Sequence, residues 1–270
     1  MNILLSRTSK QMMAVVVIIL LPLLSACGTS PRDEANPPAP GFNLANSDTR
    51  AIAIADEVMQ ALGGRRAWDK TRYITWRFFG RRQHIWDKWS GDLRYTYRNL
   101  LVLMNLNTNE GRAWIAGREV TSPDSLREIL KKTHSAWIND SYWMFMPYKL
   151  KDSGVTLRYL GADTTAAGEA ADVLELTFSE VGDTPDNKYH VYVSTRDRLV
   201  KQWDFYLKRS DEKPRFSTPW KNWRRYGDIL LSDDRGERRH SDIAVFDALP
   251  EAVFRSPTPV DVMIHARQEK

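Results

Sequence analysis

The chain has 270 residues, with 39 Lys or Arg, 34 Asp or Glu, ten Trp and a single Cys. One Cys excludes a disulfide within the chain and any structural metal site built on several cysteines. Setting aside the two basic residues of the first segment, Arg7 and Lys10, leaves a surplus of three positive charges. Such a mild surplus gives little support to a nucleic-acid-binding protein.

Residues 1–26 have the three-part pattern of an export signal. After two basic residues comes an apolar run over 12–24, about 13 residues, which is too short to cross a bilayer core of roughly 30 Å. The next residues, Leu24-Ser25-Ala26-Cys27, resemble the lipobox of bacterial lipoproteins. The resemblance implies that Cys27 is lipidated and begins the mature protein. The alternative is a short membrane anchor with an incidental Cys.

The residue after Cys27 bears on which membrane would hold the anchor. Gly28 stands where an Asp would resemble the inner-membrane retention signal of some enteric bacteria. The resemblance therefore favours an outer-membrane lipoprotein facing the periplasm over an inner-membrane one. Residues 27–48 comprise the Cys that the resemblance implies is lipidated and a segment rich in Pro, Asn and Ser. This segment is poor in large apolar side chains, which predicts a flexible tether.

The first part of the remaining chain predicts one helix and an antiparallel meander. Apolar residues at helical spacing predict a helix over 49–62, with Asp48 at its start and Gly63-Gly64 at its end. Leu93, Tyr95 and Tyr97 alternate with polar residues, as in a strand with one buried face. Five strands are predicted in all, over 73–79, 84–89, 92–98, 100–106 and 112–116.

The middle of the chain changes character. Pro123 follows Ser122, as at the start of a helix, and Leu126, Ile129 and Leu130 form its apolar stripe. The dense aromatic segment 135–150 is predicted to be helical or irregular. These residues together are interpreted as a helical insertion between two halves of a sheet.

Strands then resume to the end of the domain. Alternating patterns predict strands at 155–159, 174–178, 188–194, 199–208, 223–231 and 242–246. The total is about ten or eleven strands, with no helices alternating between them, which disfavours a parallel sheet. The predicted fold is α+β: an antiparallel half-barrel (an incomplete β-barrel) with an N-terminal helix and a central helical insertion, forming a single domain over 49–256 with a C-terminal tail over 257–270.

This order of elements resembles the LolA/LolB-like lipoprotein-carrier family. Stretches 137–143, 150–157 and 184–189 also resemble uncharacterised relatives of outer-membrane lipoprotein-sorting proteins. The match to the carriers is one of layout, and no functional residue of theirs is carried over. The resemblance implies an incomplete barrel around a cavity that is covered by helices and binds acyl chains or another apolar ligand.

A curved sheet with aromatic residues on its concave face needs a lid or a ligand to keep that face from water. Trp143 and its neighbours in the insertion have two interpretations, as a lid over the cavity or as part of the core. The aromatic residues predicted to bind the apolar ligand are Trp76, Phe78, Tyr95, Tyr97, Trp143, Phe145, Trp203 and Phe205.

The sequence contains none of the common catalytic motifs, and its five His residues lack the spacing of metal ligands. No catalytic residue, metal or cofactor is therefore predicted, and no protein partner is identified. Asp140 and Asp204 each lie among aromatic residues, so an enzyme acting on envelope glycans or lipids remains an alternative. A structural or partner-binding envelope protein, with its cavity filled by its own side chains, is the other.

We expect the Cys27→Ser variant to be unlipidated and soluble in the periplasm, because the thiol is the group that receives the lipid. Lipid labelling and membrane fractionation of cells expressing each form measure this. A variant that still fractionates with membranes would contradict the lipid anchor.

Overall fold

Two large antiparallel sheets and one long helix make up most of the fold. The computed structural model describes residues 36–179 and 184–266. The predicted export signal and Cys27 lie outside these residues. The helices are α1 (Thr49–Ala61), α2 (Arg65–Lys70), α3 (Pro123–Phe145) and α4 (Ala252–Arg255), with short 3-10 helices at Leu44–Asn46, Met146–Lys149 and Val262–His265.

The first sheet has seven strands in the order β14-β1-β2-β3-β4-β5-β6. It is the predicted meander, extended by the last strand of the chain, which pairs antiparallel with the first. Its strands are β1 (Tyr73–Phe78), β2 (Arg82–Asp87), β3 (Asp92–Tyr97), β4 (Leu100–Asn105), β5 (Gly111–Ile115), β6 (Arg118–Glu119) and β14 (Ser241–Phe246).

The second sheet has five strands in the order β11-β10-β9-β8-β7, all antiparallel, and a separate hairpin pairs β12 with β13. Neither large sheet closes on itself, so the α+β half-barrel prediction is confirmed. The strands are β7 (Val155–Thr164), β8 (Ala170–Phe178), β9 (Lys188–Ser194), β10 (Val200–Tyr206), β11 (Phe216–Pro219), β12 (Lys221–Tyr226) and β13 (Ile229–Asp234).

Three predicted segments differ in detail. The single strand predicted over 223–231 is the hairpin β12–β13, because Gly227 turns the chain with a φ of 60°. The segment 135–150 is helical as far as Phe145 and then forms a 3-10 turn. The described ranges contain fourteen strands, more than the ten or eleven predicted. The additional ones include β6 and β11, which are short and have no clear sequence pattern.

Residues 36–48, predicted as part of a flexible tether, pack against the second sheet. Asn43 donates its backbone N–H to the Val155 carbonyl at 3.0 Å, and Asp48 donates its own to Leu157 at 2.9 Å. Phe42 is buried in the main core. The composition of this segment is poor in apolar residues, but backbone pairing along β7 supplies the hydrogen bonds that order it.

Helix α1 closes one side of the main core through its apolar stripe. Ile54, Val58 and Leu62 are completely buried. Gly63 follows the end of the helix. Its φ is 112°, and a Cβ atom there would lie 2.3 Å from the Asp228 carbonyl oxygen. Only glycine fits this close approach to the β12–β13 turn.

The main core lies between the inner faces of the two sheets. It joins Ile74 and Trp76 of β1 to Leu157 of β7 and Leu174 of β8. A smaller cluster covers the outer face of the first sheet, where Val262 in the predicted C-terminal tail is buried. None of the helices within the described ranges combines the length and apolarity needed to cross a bilayer.

Strand β7 offers a matched pair of substitutions that tests this core. Leu157 is fully buried, whereas Leu160 on the same strand is 48% exposed. We expect Leu157→Ala to lower the free energy of unfolding by about 3 kcal/mol, since it leaves a cavity, and Leu160→Ala to change it by less than about 0.5 kcal/mol. Urea denaturation measures both, and equal losses would contradict the described core.

Candidate ligand-binding groove

A groove of about 750 Å³ lies between the second half of α3 and the inner face of the second sheet. Helix α3 forms one wall, and strands β8 to β11 form the floor and the other wall. Eight aromatic side chains line it, which gives it the apolar, concave character of small-molecule sites. They are Trp137, Tyr142, Trp143, Phe178, Tyr189, Trp203, Phe205 and Phe216.

Trp203 of β10 is the centre of this aromatic set and is only 1% exposed. Its ring stacks against Tyr142 at 5.7 Å between centroids and meets Trp143 edge-on at 4.8 Å. Tyr189 of β9 packs against the same ring at 4.9 Å. Helix and sheet therefore meet through aromatic contacts at the floor of the groove, which fixes its shape.

The outer rim of the groove carries apolar side chains that water reaches. Phe216 is 37% exposed and Leu207 is 44% exposed. Phe216 packs against Phe205 at 5.0 Å and stacks on Trp143 at 5.9 Å. An apolar ligand lying in the groove would cover both rim residues and gain the free energy of removing them from water.

The charges of the residues that line the groove cancel. Its charged lining residues, among those described, are Lys149 and Asp152, which form an ion pair with each other at 2.5 Å. The other polar lining includes the amides of Asn139 and Asn187. This surface has no surplus charge with which to attract a strongly ionic ligand.

Three buried hydrogen-bond donors belong to residues that line the groove. The ring N–H groups of Trp137 and Trp203 and the hydroxyl of Tyr142 have no hydrogen-bond partner among the described residues. Burial raises the pKa of Tyr142 well above its ordinary value, so its hydroxyl stays protonated. These donors are buried beneath the groove surface, and leaving them unpaired has a cost in stability.

A second, more open groove of about 890 Å³ runs along the first half of α3, beside the β4–β5 turn. Arg127, Lys131 and His134 line it together with apolar residues such as Leu126. The two grooves adjoin, since Ile138 lines both. A ligand in the aromatic groove could therefore extend along the helix.

Three of the residues predicted to bind ligand come together in the aromatic groove. These are Trp143 of α3 and Trp203 and Phe205 of β10. Trp143 also contacts Phe79 edge-on at 5.4 Å, so it belongs both to the groove wall and to the packing of the first sheet. The Trp143 side chain thus faces the groove on one side, as in the lid interpretation, and packs into the fold on the other, as in the core interpretation.

The other five predicted residues lie elsewhere. Trp76, Phe78 and Phe145 are buried in the main core, and Trp76 meets Phe145 edge-on at 5.0 Å. Tyr95 lies in the cluster under the first half of α3. Tyr97 is half-buried at the end of β3, where its hydroxyl accepts a hydrogen bond from Arg81 at 2.8 Å.

Asp140 fastens α3 to the first sheet. Arg82 of β2 donates to both its oxygens, from Nε at 2.7 Å and from Nη2 at 2.6 Å. His84, two residues along the same strand, places Nε2 at 2.8 Å from Asp140 Oδ2. Burial lowers the pKa of His84 more than Asp140 raises it, so the ring is neutral and donates through Nε2.

Asp204 has a different environment from Asp140. It lies on the outer face of the second sheet, where Tyr192 donates to it at 3.0 Å and Gln202 at 2.8 Å. Its described side-chain partners are thus two neutral groups. Asp140 and Asp204 thus belong to separate networks on different sheets, not to one cleft with a carboxylate pair.

Arg235 holds the end of α3 from the side of the β12–β13 hairpin. Its Nη2 donates to the Trp143 carbonyl, in the last turn of the helix, at 2.9 Å. The guanidinium lies 3.5 Å from the centroid of the Trp220 ring, a close cation–π contact. Burial lowers the pKa of Arg235 to about 9, which still leaves it charged at neutral pH. It therefore places a positive charge against one carbonyl at the negative end of the helix dipole.

Sequence reasoning missed several residues of the groove and its supports. Tyr189 alternates with polar residues on β9, so the sequence indicated that it points inward. The sequence did not indicate which side chains of other elements it contacts. Phe216 lies on a four-residue strand with no clear pattern. Arg82 and Arg235 carried no signal, because their partners Asp140 and Trp143 are 58 and 92 residues away.

The fold and the groove define an open α+β half-barrel with an aromatic cavity beside its helical insertion. No family model matches the chain, and neither does any curated protein. Among solved structures, it is similar to a DUF1329 family protein from Desulfovibrio piger, with 13% identity and a TM-score of 0.38 over 76% of this chain and 96% of that one.

A putative outer membrane lipoprotein-sorting protein domain from Vibrio parahaemolyticus is similar at 12% identity and a TM-score of 0.38, over 76% of this chain and 96% of that one. An uncharacterised conserved protein from Thermus thermophilus is similar at 13% identity and a TM-score of 0.25, over 79% of this chain and 96% of that one.

We expect Asp140→Asn to lower the free energy of unfolding by about 3 kcal/mol, because it leaves the guanidinium of Arg82 without its buried counter-charge. Asp124→Asn is the matched control on the same helix, since Asp124 pairs with Arg127 at an exposed site. That control should change stability little. Chemical denaturation compares the two, and equal losses would contradict a fastening role for Asp140.

Proposed function

We propose that the protein is a membrane-anchored periplasmic lipoprotein that binds an apolar ligand, a lipid or acyl chain, in the aromatic groove without catalysing a reaction on it. The observation that supports this most is the groove of about 750 Å³, lined by eight aromatic side chains and open along one rim. Its volume lies within the range of small-molecule sites.

The charge of the groove favours an apolar ligand over an ionic one. Its one described ion pair, Lys149 with Asp152, is internally balanced. The exposed rings and aliphatic groups at the rim, Phe216 and Leu207, are unfavourable in water unless something covers them. A hydrocarbon chain satisfies this need without placing a charge in the groove.

The proposal of binding without catalysis follows from where the carboxylates lie. A glycoside hydrolase needs two carboxyl groups flanking the bond to be broken. Asp140 is held by Arg82 and His84, and Asp204 faces the opposite side of its strand from Trp203. The carboxylate that lines the groove, within the described ranges, is Asp152.

A lipid ligand should accompany the protein through purification. The mature chain from residue 27, carrying Cys27→Ser and exported by a cleavable secretory signal, should show bound acyl lipid in native mass spectra. A bare spectrum, with no uptake of added lysophospholipid, would overturn the proposed function.

Substitutions at the rim test whether the groove is the binding site. We expect Leu207→Ser combined with Phe216→Ser to weaken lysophospholipid binding about tenfold or more, because two apolar side chains no longer cover the ligand. Both residues are partly exposed, so stability should change little. Leu160→Ser, equally exposed but outside the groove, is the control. Equal loss in control and rim variant, by fluorescence titration, would remove the groove from the binding site.

A further inference from the structure

We propose that a basic and aromatic surface around α2 and the β2–β3 turn docks the domain onto the anionic surface of a lipid bilayer. This surface, called here the basic patch, is distinct from the groove and adds a second contact with the membrane to the proposed lipid anchor. Its members are Arg65, Arg66, Lys70, Arg72, Lys88 and Trp89.

Trp89 is the most unusual member. It is 59% exposed, whereas the other Trp residues of the described ranges are buried or half-buried. Its ring N–H donates to the Asp69 carbonyl at 2.9 Å, and the guanidinium of Arg72 lies 5.2 Å from its ring centroid. The ring is thus held in one place with its polar atom satisfied and its apolar surface facing water. Indole rings of this kind favour the headgroup level of a membrane.

The basic residues form one surface around this ring. Lys88 donates to the Asp69 carbonyl at 3.4 Å and lies 4.9 Å from the ring centroid of Trp68. The backbone N–H of Lys88 donates to the Arg72 carbonyl at 2.8 Å, which joins the β2–β3 turn to the end of α2. Arg66 and Lys70 are exposed and one helical turn apart on α2.

The charges of the patch are not balanced. Arg65 pairs with Asp69, and Arg72 pairs with Asp87. No carboxylate among the described residues lies within ion-pair distance of the remaining three cations, Arg66, Lys70 and Lys88. The patch therefore holds about three uncompensated positive charges, each of which is attracted to anionic lipid.

The described part of the chain begins beside this patch. The Pro37 carbonyl accepts a hydrogen bond from Arg65 at 3.3 Å, and Asn36 donates to Asp56 at 2.8 Å. Cys27 is nine residues before Asn36, so it can lie at most about 30 Å away. A lipid on Cys27 would hold the bilayer within reach of the patch.

Charge, an exposed indole and the nearby chain start all favour one partner, a bilayer that contains anionic phospholipid. An acidic protein would satisfy the cations, but it would not require an immobilised, exposed Trp at their centre. The proposal rests on the membrane anchorage stated under Proposed function, but not on the groove or its ligand.

The test uses the unlipidated mature chain carrying Cys27→Ser, so that the anchor contributes nothing. Flotation with vesicles should show binding to mixed phosphatidylglycerol and phosphatidylcholine, weaker binding to phosphatidylcholine alone, and loss of binding as salt is raised. Equal affinity for both vesicles, or no binding to either, would overturn the proposal.

Variants then locate the contact. Arg66→Gln combined with Lys70→Gln should weaken binding to the anionic vesicles about 25-fold, because each basic residue near such a surface contributes about a factor of five. Trp89→Ser should also weaken binding and remove any blue shift of Trp fluorescence. These three residues are exposed, so thermal unfolding should confirm intact folding.

Two controls separate the patch from other causes. Arg196→Gln combined with Lys221→Gln removes two exposed charges, one from the β9–β10 turn and one from the β12–β13 hairpin. This variant should bind like the parent chain. The rim variant Leu207→Ser with Phe216→Ser should also bind vesicles normally, even where it fails to take up lysophospholipid. A loss in the charge control as large as in the patch variant would overturn the proposal.

Discussion

The buried carboxylate of Asp140 is the constraint on which the arrangement of α3 depends. An aspartate at zero exposure is stable only with a counter-charge and hydrogen bonds, and Arg82 and His84 of β2 supply both. The helix is thereby fixed against the first sheet at one point. Arg235 fixes it at a second, one turn further on, by holding the Trp143 carbonyl. Between these two points the helix has little freedom to rotate or slide.

This fixed helix divides the space inside the half-barrel unequally. The inner face of the first sheet is filled, because Tyr95 and Trp86 pack against the same helix through Leu130 and Trp137. Over the second sheet the helix makes contact mainly through Tyr142 and Trp143, which meet Trp203 and leave an opening along one side. A cavity therefore exists because one helix cannot cover two sheets, and its aromatic lining follows from the inward faces of β8 to β11.

The distribution of charge gives two surfaces with different physical character. The two charged residues that line the groove within the described ranges, Lys149 and Asp152, form an ion pair with each other. Three cations without a described ion-pair partner, Arg66, Lys70 and Lys88, lie around α2, where Trp89 is exposed. A neutral aromatic groove and a basic surface suit two different contacts, the first with a hydrocarbon chain and the second with a field of anionic headgroups.

Local patterns in the sequence determined the elements of this protein. Helical spacing predicted α1, Pro123 marked the start of α3, and alternation predicted most strands and their inward faces, because these signals depend on residues close together in the chain. The lipobox-like residues ending at Cys27 are likewise a local signal. Only the tertiary structure decided which inward aromatic residues are core and which line a groove. Trp76 and Trp203 follow the same alternation, and side chains of α3 pack against both of them. The contacts that fix the position of α3 join residues far apart in sequence, so local patterns do not reveal them.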